Sequence, residues 1–421
     1  MNQCVRVLIA SVGLACAVVS PSAFARDDAA AMEAPAAAAV SADQIALVRE
    51  LVATMQTTTA AGDAAGYLAL VDRAEHEWWH EQQAWAKDIA SKTPVAMTIT
   101  AGDDWSLTTY DGVPAVEVSL AWRWTPKADD RVASEPKEGE TAAPRQEPKE
   151  RELTFRARFV ERDGGLRYAG EAWQTVEREG VIVAFDPGLE DSAAAAAEAF
   201  AKIRSGVERE LGVEGGAIAT RTQRIKLYGS MRHLQHSIYP SYVFGLSGWN
   251  EPNESIKALT KPGATEKSFI GLLAHEYGHV ASFELGPKAN LMPWWTLEGV
   301  AELMVDPHDA SLAERSRRQV RGWAKEGTLT ELAELADFEK VPLKLHGRVY
   351  RQGHDMVLFV TQQYGRERRN AWLAAMSQGK TIDVASSEVL GTEWPAVEQA
   401  WREAVIVEPA EPAQPVEPSA K

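Results

Sequence analysis

Cysteine is almost absent from this 421-residue sequence: there are two, Cys4 and Cys16, and both lie within the first 25 residues. The chain beyond them therefore has no disulfide, no thiolate nucleophile and no thiolate metal ligand. Basic residues are outnumbered, 44 Lys and Arg against 60 Asp and Glu, for a formal charge of −16. A surface of that balance repels phosphate backbones and anionic lipid, which excludes nucleic acid as a partner. Long apolar runs are also missing. After the first twenty-odd residues nothing approaches the ~20 needed to cross a bilayer, so no membrane span is expected. With 45% hydrophobic and 25% charged residues the chain reads as globular, and it is too long for one compact core.

The first residues carry an address. Arg6 supplies a positive charge, Val7 to Val19 is apolar, and Ser20-Pro21 precedes Ala23-Phe24-Ala25. This pattern predicts a secretory signal peptide over residues 1–25, cleaved after Ala25, and an exported protein, periplasmic or secreted. Lipid attachment at Cys16 is the weaker reading, because Gly13-Leu14-Ala15 fits a lipobox poorly. Residues 26–40 are Ala-rich and read as a flexible tether.

From Ser41 helical spacing takes over, with Ile45, Val48, Leu51, Val52 and Met55 on one stripe, and a second helical region is expected from Asp63 to Ser91. Val95–Thr100, Trp105–Tyr110 and Val116–Trp124 alternate as half-buried strands, with Asp111-Gly112 as a hairpin turn. Residues 127–149, rich in Lys, Glu and Pro, read as a disordered insert, after which strands resume through Val176. The expected fold class is α+β. A small helix-plus-meander unit spans 41–180, similar in element order to the cone of nuclear-transport-factor-like domains. A mostly helical unit follows over 181–406, opening with a strand at Val181–Phe185, a helix from Ser192 to Leu211 and a strand at Arg224–Tyr228. Residues 407–421 read as a disordered tail.

His-Glu-x-x-His occurs twice, at His76–His80 and at His275–His279. On a helix, residues i and i+4 share a face, so two imidazoles can hold one zinc ion and the intervening Glu can reach its water. The first copy is flanked by Glu75 and Glu81, the pattern of a solvated helix face with Trp78 and Trp79 turned inward, and is set aside as coincidence. The second lies in apolar surroundings: Phe269, Ile270, Leu272 and Leu273 precede it, and Val280 and Ala281 follow. Thr265-Glu266 offers the helix start and Gly286-Pro287 the stop. Gly278 costs ~1 kcal/mol inside a helix and so is expected to have a packing purpose, admitting another backbone.

A catalytic zinc usually has three protein ligands. Eighteen residues after His279 comes Glu298, inside Trp295-Thr296-Leu297-Glu298-Gly299-Val300-Ala301, on a helix that Pro293 starts and Pro307 bounds. This combination resembles the gluzincin metallopeptidases of the peptidase MA clan, above all the bacterial peptidase MA-like proteins, and more distantly the aminopeptidase-type gluzincins and thermolysin. Tyr350, Leu358-Phe359-Val360 and Tyr364-Gly365 resemble the helix that follows there. The similarity covers roughly residues 181–405.

The reading implies one zinc ion on His275, His279 and Glu298, with Glu276 as general base. By the same resemblance Glu302, one turn past Glu298, accepts the other ring N–H of a ligand histidine. An oxyanion needs a further donor, for which Tyr350 and His354 both stand. His233 and His236 read as surface residues, His308 and His346 receive no role, and Trp249, Trp294 and Trp295 read as core or cleft wall. The expected function is a secreted zinc metallopeptidase acting on a peptide or protein substrate. A zinc-holding envelope scaffold without turnover, or a hydrolase of cell-wall peptide amides, are the alternatives. The Gly-x-Met-x-Asn segment of aminopeptidases is not evident, which favours internal cleavage.

Overall fold

The computed structural model describes residues 39–127, 149–162 and 164–406; the signal peptide, most of the tether, nearly all of the insert and the tail expected above lie outside them. The architecture is mixed α and β, built on two sheets with helices packed against each.

The first unit opens with helices α1 (Ala42–Ala61), α2 (Ala64–Leu68) and α3 (His76–Ser91). Ser41 caps α1 through a reciprocal pair with Gln44, and Gly62 ends it in the left-handed region at φ 69°. The helical region expected over 63–91 is two helices: between α2 and α3, Val71 bridges to Tyr168 and the sheet claims the backbone. The strands are β1 (Ala96–Ala101), β2 (Ser106–Tyr110), β3 (Val113–Thr125), β4 (Arg151–Arg162) and β5 (Gly165–Glu171), all antiparallel, in the order β1-β3-β4-β5 with β2 also on β3. Asp111 and Gly112 both take positive φ and close the β2–β3 hairpin in two residues, pairing Tyr110 with Val113. Trp122, Trp124, Val118 and Leu120 turn inward from β3 onto Trp85, Val48 and Met55 of the helices.

The second sheet has the order β6-β7-β8-β10-β9: β6 (Gln174–Arg178), β7 (Val181–Phe185), β8 (Gln223–Tyr228), β9 (Gly248–Trp249) and β10 (Ile256–Leu259). Strands β7, β8 and β10 are parallel, which suits the unbroken apolar run of Val181–Phe185, while β6 and β9 are antiparallel edges. The division expected at 180/181 thus falls inside the β6–β7 hairpin, and β6 belongs to the second unit. Helices α4 (Glu190–Leu211), α5 (Ala217–Thr220) and α6 (Met231–Ile238) accompany the strands. After them come α7 (Glu266–Phe283), α8 (Trp294–Val305), α9 (Leu312–Lys325), α10 (His346–Tyr364), α11 (Arg366–Ser377), α12 (Ile382–Ala385) and α13 (Trp394–Ile406). No described helix is long and apolar enough to cross a membrane.

Polar ties cross between the units. Trp85 Nε1 donates to the His236 carbonyl and Trp124 Nε1 to that of Pro240, each at 2.9 Å. Glu81, expected on a solvated face, is 3% exposed and pairs with Lys226 of β8, with Lys257 of β10 at 3.8 Å. That correction has a plain cause: α3 is covered by the second sheet, and Glu81 meets two buried ammonium groups there. Burial alone would raise its carboxyl, but Lys226 and Lys257 hold it down at about 2. His233 and His236 are likewise buried, at 5% and 6% exposure, because α6 packs against the first unit rather than facing water.

Candidate metal centre

Helices α7 and α8 lie side by side because glycines remove the bulk between them. A Cβ on Gly278 would come within 3.1 Å of the Ala301 Cα and 2.9 Å of the Met304 Cγ, so the packing purpose expected for Gly278 is the approach of α8. Helix α10 meets α8 at a second such contact: a Cβ on Gly299 would lie 2.4 Å from the Gly353 carbonyl oxygen, and one on Gly353 2.1 Å from that of Trp295. These two crossings place α7, α8 and α10 around one point.

At that point His275 and His279, one turn apart on α7, face Glu298 of α8. The Nε2 atoms of the two histidines are 3.3 Å apart, and Glu298 Oε2 lies 3.3 Å from the first and 3.5 Å from the second. All three residues are 0% exposed, and Glu298 Oε2 has no hydrogen-bond partner. Ligands about 2.1 Å from a tetrahedral ion lie about 3.4 Å from one another, so the donor set fits one zinc-like cation by type and by spacing. Among the described residues only one other cluster of three metal-capable side chains occurs, Glu171, Asp186 and His233. There the histidine's two nitrogens each face a carboxylate, 2.7 Å from Glu171 and 3.1 Å from Asp186, which describes an ion-paired clasp.

The surroundings orient the three side chains. Trp294 Nε1 donates to Glu298 Oε1 at 2.7 Å. Glu302 Oε1 stands 3.5 Å from His275 Nδ1, on the side expected for it, and its other oxygen takes Arg351 Nη1 at 3.0 Å. Burial would lower the His275 imidazole, yet the Glu298 and Glu302 carboxylates raise it to about 10. Glu298 is held at about 2, burial being overcome by His279 and His275.

Glu276 is 0% exposed and neither carboxylate oxygen has a hydrogen-bond partner. Burial pushes its carboxyl up to about 8; His275 opposes the rise and Glu298 adds to it. Edge strand β9 passes directly over it: a Cβ on Gly248 would sit 2.1 Å from Glu276 Oε1, so only glycine leaves the carboxylate where it is.

The Tyr350 ring lies beside His275, stacked at 6.1 Å between centroids and 29°. His354 does not serve as the sequence allowed. Its Nε2 is 3.0 Å from Asp306 Oδ2 and its Nδ1 3.0 Å from Ser316 Oγ, so both ring nitrogens are committed away from the cluster. Sequence reasoning missed Trp294 as a ligand-orienting donor, although its i to i+4 spacing to Glu298 carried the signal. It also missed Gly248, Gly353 and Arg351, which act through contacts between distant segments. The first motif copy sits on α3, with His80 Nδ1 2.9 Å from the His76 carbonyl and no third ligand gathered beside it among the described residues. No protein-family model matches the chain, and no curated protein matches it either.

Proposed function

We propose that this chain is an exported zinc-dependent peptidase whose second unit is of the gluzincin type, cleaving peptide bonds with an activated water and no covalent intermediate. One observation carries the reading: two imidazole nitrogens and one carboxylate oxygen converge at 3.3–3.5 Å beside a second carboxylate, that of Glu276, with no hydrogen-bond partner among the described residues. His275, His279 and Glu298 would hold the ion, which when bound supplies the Lewis acidity that acidifies a water and polarises a carbonyl. Glu276 takes a proton from the attacking water and returns it to the leaving amine. Glu302 fixes the His275 ring by its Nδ1 side. Tyr350 is the donor beside the developing oxyanion.

The test uses purified full-length protein, elemental analysis and a peptide library. Zinc near one equivalent and cleavage that Glu276→Ala abolishes, with the ion retained, support the mechanism; cleavage unchanged by that substitution overturns it. Export rests on the N-terminal segment, and mass spectrometry of the protein from the extracytoplasmic fraction tests cleavage after Ala25.

A second reading has an observation of its own. All four residues of the centre are 0% exposed, with β9 lying over Glu276, so a polypeptide reaches that carboxylate only if the segment around Gly248 moves. A zinc-holding scaffold needs no such opening. Retained zinc without turnover in the wild type favours that reading.

A further inference from the structure

A cleft of about 780 Å³ lies beside the candidate metal centre. One wall is α3 of the first unit, contributing His76, Glu77, His80 and Ala84; the other is the end of α7, with Val280 and Phe283, one turn past His279. Its floor includes Asn250, next in sequence to strand β9, whose Gly248 covers Glu276. A chain lying in this cleft therefore runs alongside the metal helix and the strand above Glu276. The volume falls within the range of ligand sites, roughly 300–1,000 Å³.

Two independent observations define what the cleft would take. Six carboxylates line it, on Glu77, Asp88, Glu251, Glu254, Glu284 and Glu339, against three cations, on Lys87, Lys92 and Arg221. Arg221 pairs with Glu284 at 3.2 Å and buried Glu254 with Lys257 at 3.0 Å; outside those two pairs the lining carries four carboxylates, on Glu77, Asp88, Glu251 and Glu339, against Lys87 and Lys92, so acid is still in surplus. Separately, Asn250 is 1% exposed and its carboxamide oxygen is a buried acceptor with no hydrogen-bond partner among the described residues. Leaving such an acceptor unmet is destabilising, and a ligand N–H would relieve it.

We propose that this cleft binds the cationic side chain of a basic polypeptide segment, a guanidinium or ammonium group that Asn250 accepts from and the acidic wall neutralises. It thereby selects basic substrates for the neighbouring centre, a consequence that rests on the peptidase reading. The α3 wall gives the first unit a role in recognition, and its copy of the His-Glu-x-x-His pattern lines a substrate cleft instead of holding metal.

The probes are two short fluorescent peptides, one alternating Arg and Gly, the other Glu and Gly, titrated into the full chain at low salt. The Arg peptide is expected to bind at least about tenfold tighter. The double variant Glu77→Lys with Glu339→Lys, which changes only incompletely buried side chains, and separately Asn250→Leu, should each weaken the Arg peptide while thermal melting confirms the fold. Equal affinity for the two peptides, or Arg-peptide affinity unmoved by both variants, overturns the inference. Cleavage of mixed-sequence peptides is scored apart. Cleavage without preference for Arg or Lys, together with equal binding, removes the inference and leaves the peptidase reading standing. Tight Arg-peptide binding with no cleavage of any peptide supports the cleft's chemistry and counts against the peptidase reading alone.

Discussion

Trp294 Nε1 holds Glu298 Oε1 at 2.7 Å, one turn away on the same helix, and Glu298 Oε2 is the oxygen that meets both imidazoles. The indole settles which carboxylate oxygen is presented to the ligand position. Trp294→Phe keeps the ring and removes the donor, so zinc affinity should fall by about tenfold or more, as is typical when such a supporting partner is lost. Competition with a chromophoric chelator measures it. Unchanged affinity would show that helix packing alone orients the carboxylate.

Gly248→Ala should act on Glu276 with little effect elsewhere. The added carbon would meet the end of a flexible side chain, which can swing aside cheaply, so stability and zinc content should change little. On the proposed mechanism the displaced carboxylate would no longer reach the attacking water, and a loss of kcat of about 10²-fold or more is expected. A kcat close to wild type would place the base elsewhere.

The crossing of α8 and α10 makes the opposite prediction. A Cβ on Gly353 would meet the Trp295 backbone oxygen at 2.1 Å, and backbone cannot step aside. Gly353→Ala should cost about 1–3 kcal/mol or more as the helices part. Zinc affinity should fall with it, because α8 carries Glu298. Calorimetry and the chelator assay on one sample check both.

His233 makes stability depend on pH. Its ring stacks on Phe155 and Trp173 while its nitrogens face Glu171 and Asp186; burial would lower its pKa, but the two carboxylates raise it to about 10. An imidazole in the unfolded chain titrates near ~6.5. The protonated ring therefore stabilises the fold fully below that value, and the contribution is lost as pH rises from there through 10. The melting temperature should fall across that window, and His233→Gln should flatten the fall. An identical slope in the variant would assign the dependence to other groups.

Much of this molecule is legible along the chain where local geometry decides. The Ser41 cap, the Asp111-Gly112 hairpin, the apolar strand Val181–Phe185 and the helix bearing His275 and His279 all lie where their residues point. Strand β9 escapes notice because two residues carry no period, and β10 because Ile256-Lys257-Ala258-Leu259 is too short to separate a helix from a strand. His233, His236 and Glu81 look exposed on their own segments; each is buried by the other unit, whose position no local pattern encodes.

By itself the sequence determined the pair of imidazoles, since 3.6 residues per turn puts i and i+4 on one face wherever a helix forms. The flanking residues also marked which of the two motif copies lies in apolar surroundings, but tertiary structure alone brought Glu298 to within 3.5 Å of both imidazoles. It also turned both ring nitrogens of His354 to Ser316 and Asp306, and it set β9 over Glu276. The reason is physical: intrahelical spacing is a property of the backbone, whereas the approach of α7, α8 and α10 depends on glycine contacts made between residues distant along the chain.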